Sequence, residues 1–567
     1  MMFMTDVPLH SRADGCRVVE PLPCLLPHEI ICDEYRDNTE TIRHAFATTE
    51  FPVGFTEHPV TQACRLSGTF AWPLALYVDG VKFAREDTAN GWWLVDLITG
   101  RRWSLCNMRK SQLCQCGCKG WCSIYPIMLL LGWSCRALVA GVHPSRGHTG
   151  LRLDDMRESV GNSAMPCRGV IMYIKGDWME FATTLAFPSW ADVNCPCPRC
   201  WCTHDTLFST RGLSALGTPF PQKTFAQYER ACDACERKIA PLSDALYRKI
   251  RASLMFDRKK DGARGRVLAV DIPEAGLLRG DRLEPSVDCV DICDGFNESK
   301  PESITFWRRS SETLTRHRNP LFCGEAHITP EECLAFDYLH GLALGVYKSF
   351  MAHMTWCLLR NNVWGAPPHD NMDTRVLVSV PRLRLELFAW YKRERTARRQ
   401  HCEVQDLTPA MLGSLASPSL GLHGAETVSY LAFGGHLLQR YGAAMGAERA
   451  SIEAAWAALN RIRVLTSTYP RVLPMTEVQP FVEATCDAIR FMQLAGVPQR
   501  PKLHALIEIA YLVRRFGSPA LFACWDDESK NVLLRDAARG AHRSNWHWRV
   551  LRSLNESLNR DVRARRA

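Results

Sequence analysis

The sequence predicts a mixed α/β fold with a mostly helical C-terminal region, and three observations point there. Residues 74–80, 92–99 and 102–105 are successive strand-like runs, the last two joined by a Thr99-Gly100 turn. Residues 124–140 form a long apolar run of helical length, followed by a β-branched and aromatic run at 170–174 that Gly176 breaks. Beyond about residue 375 the apolar pattern is helical, strongest at 502–516.

Composition bounds the alternatives. A chain of 567 residues with 46% hydrophobic and 23% charged side chains can bury large cores and is expected to form two to four domains. The net charge of +9 permits a polyanionic partner without demanding one. No basic start and no long apolar core mark a signal peptide at residues 1–6. The 25 cysteines, clustered in Cys-x-x-Cys and denser patterns, are therefore expected to be reduced thiols and metal ligands more than disulfides. Residues 124–142 raise the question of a membrane span, but Ser123, Ser134 and Arg136 interrupt the run and basic flanks are missing, which favours a buried helix and no membrane partner.

Taken in order, residues 1–70 read as an irregular Pro- and Cys-rich segment with one helix at 39–49. They look too short and irregular for a module that recognises DNA ends. Residues 71–195 read as the first part of the core. The first strand ends in Asp79-Gly80, and the strand at 170–174 is followed by Asp177. Each acid can be a turn residue or helix N-cap, and each can equally sit at a sheet rim where α/β folds place ligands. Residues 178–187 fit an amphipathic helix. Residues 196–330 read as a Cys-rich, charged insertion, with helix expected at 225–254 and a basic aromatic stretch carrying Arg308, Arg309, Arg316 and Arg318. Those arginines are candidates for phosphate contacts, or simply a solvated face. Residues 331–440 hold an Asp337-x-x-His340 motif leading into a helix at 347–359, and residues 441–567 are helical with a basic tail.

Two cysteine groups carry metal chemistry. Cys197-x-x-Cys200 has knuckle spacing, in which both thiolates reach one ion while backbone amides brace them, and Cys232-x-x-Cys235 follows at a separation suited to a four-cysteine zinc site. Upstream, Cys114, Cys116, Cys118 and Cys122 are packed too densely for comfortable disulfides and could wrap a further zinc, with Cys106 nearby.

The order strand–strand–strand–helix–strand, with acids after the first and fourth strands, resembles the RNase H-like fold. Asp79, Asp177, Cys197 with Cys200, Asp337 with His340, and the downstream Arg500-Pro501-Lys502-Leu503-His504 and Arg515-Phe516-Gly517 segments together resemble CACTA-like and related eukaryotic cut-and-paste transposases. That resemblance covers about residues 70–550. It implies an RNase H-like core with a zinc-knuckle-like insertion, a DDE-type catalytic site, a DNA substrate, a nuclear location and action as a homo-oligomer. Asp79 and Asp177 would hold Mg²⁺ or Mn²⁺, and a helix-borne acid would complete the site. Glu426, opening a helix that follows a long insertion, is the first choice, with Asp527 or Glu528, and then Asp337, as rivals. Two readings compete with an active transposase: a catalytically silent DNA- or chromatin-binding descendant, and a zinc-stabilised interaction scaffold.

Overall fold

The apolar run through Trp72, Leu74, Ala75, Leu76 and Tyr77 forms the middle of the longest strand, and the rest of the core is laid against it. The structure is a computed structural model that describes residues 2–116, 118–192, 195–235, 318–366 and 371–566. Its central sheet contains β3 (Phe70–Ala84), β4 (Asp87–Asp96), β5 (Arg102–Arg109), β6 (Cys167–Gly176) and β7 (Leu334–Phe336) in the spatial order β5-β4-β3-β6-β7. β3, β4 and β5 are an antiparallel meander, whereas β6 and β7 run parallel to β3. The sheet is thus mixed, as expected.

Residues 1–70 differ from the irregular segment expected. They form an antiparallel hairpin of β1 (Phe3–His10) and β2 (Arg17–Cys24), then α1 (Pro27–Ala47), α2 (Val53–Thr56) and α3 (Pro59–Ser67). Prolines hid the hairpin. In a two-stranded ribbon every strand is an edge, so Pro8, Pro21 and Pro23 need not break a ladder. Val7, Leu9, Leu22 and Cys24 still bury one side of it. Pro27 opens α1 at a position where a missing N–H costs nothing.

α4 (Trp121–Ala140) is the apolar helix, long and apolar enough by composition to cross a membrane, yet 67% of its most apolar window is buried inside the fold. It packs on β1, β6 and α1. α5 (Asp155–Ser159) precedes β6, and α6 (Trp178–Thr183) and α7 (Phe225–Cys235) follow it. The helix expected at 225–254 is described only as far as Cys235.

After α8 (Pro330–Cys333) and β7, a π-helical stretch, Leu339–Tyr347, runs straight into α9 (Lys348–Arg360). The helical half continues with α10 (Met372–Thr396), α11 (Gly424–Tyr441), α12 (Arg449–Thr468), α13 (Met475–Leu494), α14 (Lys502–Phe516), α15 (Trp525–Gly540) and α16 (Trp546–Arg566). α14 lies against the π-helical stretch and β7, α15 against β3 and β4, and α16 against β5 and β2. Buried side chains from the hairpin (Leu9), the sheet (Trp72) and the last helix (Leu554) belong to one continuous hydrophobic core.

Candidate carboxylate site and cysteine clusters

Parallel pairing of β3 with β6 ends at Tyr77 opposite Lys175. Asp79 and Asp177 each stand two residues further on, at the same end of adjacent strands. β3 does not stop there: its antiparallel pairing with β4 carries it past Gly80 to Ala84. Asp79 is therefore inside a strand and not in a turn.

Asp79 accepts hydrogen bonds from the Tyr77 hydroxyl (2.7 Å), the Gly80 amide (2.7 Å) and the Asn531 side-chain amide (2.6 Å). The same Tyr77 hydroxyl lies 3.5 Å from Glu528 Oε1, and the same Asn531 amide 3.4 Å from Glu528 Oε2. One hydroxyl and one amide thus bridge a strand acid and a helix acid. Burial, then the Glu528 and Glu180 carboxylates, push Asp79 up to about 7. Burial also works to raise Glu528, but hydrogen bonding and charge from His340 override it and the net shift is downward. The two acids are therefore shifted in opposite directions, Asp79 toward its protonated form and Glu528 toward the carboxylate.

His340 sits between two acids, with Nδ1 2.6 Å from Asp337 Oδ2 and Nε2 3.3 Å from Glu528 Oε1. Burial would lower its basicity, yet the Asp337 and Glu528 bonds win and raise it to about 11, so the ring is an imidazolium. Asp337 is itself fixed by the backbone amides of Leu339, His340 and Cys524. It caps the π-helical stretch, a geometry that recurs at functional sites.

Asp177 performs the N-cap role, accepting from the Trp178 amide at 2.6 Å, and it also lines a cavity of about 450 Å³ with His340 and Asp337. Glu426 takes no part in these bonds. Its carboxylate accepts from the His423 backbone amide in a capping box at the start of α11, and its charge acts on Lys348, Tyr391 and Cys402. The acid brought to Asp79 is Glu528. Its neighbour Asp527 is turned into the core, where Lys175 (2.6 Å) and Arg102 (2.6 Å) bind it.

Among the described residues, two groups place their ligand atoms within 4.8 Å of one another, close enough for one metal ion. The first is Cys197, Cys200, Cys202 and His504. Cys197 and Cys200 belong as expected, but the remaining ligands are Cys202, two residues on, and His504 from the first turn of α14. His504 Nδ1 donates to the Leu207 carbonyl (2.9 Å), which leaves Nε2 facing Cys200 and Cys202 at 3.3 and 3.7 Å. The Arg199 amide donates to Cys197 Sγ, the brace expected of a knuckle. Behind it, Glu508 is fully buried, with no hydrogen bond to either carboxylate oxygen among the described residues; Arg199 lies 3.5 Å and the His504 ring 3.6 Å away. Cys232 is elsewhere, buried on α7 against Tyr228. It is not among the ligand atoms gathered at Cys197, and the side chain of Cys235 lies outside the described residues.

The second group is Cys114, Cys116, Cys118 and Cys122 in the β5–α4 connection. Its Sγ atoms stand 3.3 Å (Cys114–Cys116) and 3.9 Å (Cys116–Cys122) apart. A tetrahedral zinc thiolate with ~2.3 Å bonds sets its sulfurs ~3.8 Å apart. Both groups could hold a metal such as zinc. Cys106 stays on β5, next to Cys24.

Of the candidate phosphate contacts, Arg308, Arg309 and Arg316 lie outside the described residues, and Arg318 is exposed. Sequence reasoning missed Tyr77, Asn531, Cys202 and His504 as members of these sites. Tyr77 shares a strand face with Asp79, and Asn531 shares a helix face with Glu528, which is signal only once the acids are known. No family model matches the chain, and no curated protein matches it significantly.

Proposed function

We propose that this chain is a DDE-type transposase or nuclease that cleaves and transfers DNA strands, with Asp79, Asp177 and Glu528 as its acids. The observation that carries this reading is the meeting of Asp79, from the middle of the sheet, with Glu528, from a C-terminal helix, beside the end of the neighbouring strand that bears Asp177. Further support comes from the strand order, third–second–first–fourth–fifth with an antiparallel second strand, which fits an RNase H-like core.

The donors suit a hard divalent cation: carboxylate oxygens, two of them drawn together by the shared Tyr77 and Asn531 donors. Asp79, Glu528 and Asp177 are the residues that would hold Mg²⁺ or Mn²⁺. Bound there, the ions would activate water and steady the oxygens of an in-line displacement at phosphorus. The three acids do not crowd round one point as the cysteine groups do. Asp337 orients His340, and His340 holds Glu528 toward Asp79. Zinc at the two cysteine groups would be structural, since each offers a full set of four ligands and leaves no open position.

A catalytically silent DNA-binding descendant is the second reading, favoured by one observation. The His340 imidazolium already neutralises Glu528, in a place where a cation would otherwise be needed. Nicking of plasmid DNA in Mn²⁺ separates the two. The enzyme reading expects nicking that Glu528→Gln and Asp177→Asn abolish while DNA affinity persists. Wild type that binds DNA and never cuts it refutes the enzyme reading.

A further inference from the structure

The cavity beside Asp177 is not explained by the carboxylates alone. Its walls include Trp178, Trp190, Phe336 and Leu344, and its mouth carries Arg500 and Lys502. Arg500 is exposed and Lys502 half-buried, so both can meet a solvent-borne anion. Trp190 is 40% exposed, whereas Trp178 is buried as part of the cavity wall. Trp178 packs edge-on to Phe336 (4.9 Å between centroids) and lies 6.0 Å from the His504 ring, so the knuckle supports the cavity floor.

Aromatic faces and two basic groups beside them describe a flat aromatic ring tied to phosphates. A volume near 450 Å³ suits a single such unit. We propose that the cavity receives one unstacked nucleotide of a single DNA strand, its base against Trp178, Trp190 and Phe336 and its flanking phosphates against Arg500 and Lys502. This rests on the DNA reading above and adds a requirement to it. The strand must be locally unpaired, because a base inside a duplex cannot enter a cavity. A nucleotide so held sets the adjoining phosphodiester beside Asp177 and His340. An uncharged apolar ligand would leave the basic mouth unused.

The test is binding of a short oligothymidylate and its abasic counterpart to the full chain, measured by fluorescence anisotropy across a salt series without divalent metal. Wild type should prefer the oligothymidylate on the order of tenfold, the scale of one stacked base. Trp190→Ala, an exposed position, should erase that preference and leave the salt-dependent affinity. Arg500→Gln with Lys502→Gln should weaken both ligands and flatten the salt slope by about 0.7 for each phosphate no longer neutralised. Glu528→Gln should keep the base preference. Equal affinity for the two oligonucleotides, or a preference that Trp190→Ala leaves unmoved, overturns the pocket. The two readings fail separately: a protein that nicks DNA without base preference loses only the pocket, and one with the preference that never nicks loses only the nuclease assignment.

Discussion

Adjacent acids at the start of α15 do different things because a helix turns about 100° per residue. Asp527 faces the sheet and is held by Lys175 on β6 and Arg102 on β5, all three side chains at least nine-tenths buried. Glu528 faces the carboxylate site. Asp527→Asn should therefore cost stability, on the order of 3–5 kcal/mol for breaking a buried ion pair, read as a lowered melting temperature. Glu528→Gln, which takes one of two charges from His340, should lower the melting temperature less than Asp527→Asn and reduce metal-dependent nicking by more than ~100-fold, the scale of losing a group at the reacting atoms. Glu426→Gln can keep the capping-box bond through its amide oxygen, so it should cost little stability and spare nicking. If Glu426→Gln and not Glu528→Gln silences nicking, the assignment of the third acid is wrong. From sequence alone Glu426 and Glu528 looked alike, each an acid near a helix start. What separates them is which helix crosses β3, and that is decided by packing.

At the scale of elements, the knuckle and α14 form a single unit. Cys197, Cys200 and Cys202 come from a loop after α6, and His504 from a helix some three hundred residues later, so an ion here would close a very long loop. Arg199 reinforces the joint by donating to the Pro330, Glu331 and Leu334 carbonyls, which tie the knuckle to the edge strand β7. The Cys114–Cys122 group acts more locally, shaping the turn from β5 into α4 through Lys119 and Gly120, both with positive φ. Elemental analysis should find at least two zinc ions per chain, one for each group among the described residues. Cys200→Ser and Cys118→Ser should each remove one, and Cys232→Ser should remove neither. Loss of zinc in Cys232→Ser would restore the Cys-x-x-Cys pairing read from spacing. Cys197 and Cys200 were legible because both ligands lie in one turn. His504 was not, since no local pattern reports a partner supplied by a distant helix.

For the whole molecule, the order of the first four core strands and the buried helix could be read from periodicity. The N-terminal hairpin could not, because its prolines mimic a loop. Three histidines spread across the fold set a common acid limit. His28, between α1 and α4, has its ring Nδ1 2.7 Å from the Ser134 hydroxyl, and burial, then His143 and Arg157, lower it to about 3. His58 caps α3, and burial, then His327 and Arg515, lower it to about 4. His547 on α16 donates Nδ1–H to the Asn107 carbonyl on β5, and burial first of all lowers it to about 4. Its other ring nitrogen is buried without a partner among the described residues, so a proton there would have nowhere to donate. All three are neutral when folded and titrate near 6.5 when unfolded. Below pH 6.5 the unfolded chain takes up protons that the folded chain refuses, so stability drops as the pH drops, and the loss continues until about pH 3–4. His340 has the opposite sign: raised to about 11, it contributes fully below pH 6.5 and loses that contribution as pH climbs toward 11. The melting temperature should accordingly be flat only near neutrality, drop between pH 6.5 and 4, and sag again in alkali. Metal release from thiolates would steepen the acid side, so the profile should be taken on His547→Gln alongside wild type at matched zinc content. A shallower acid limb in that variant is the expected result, and an unchanged limb would remove His547 from the groups that set it.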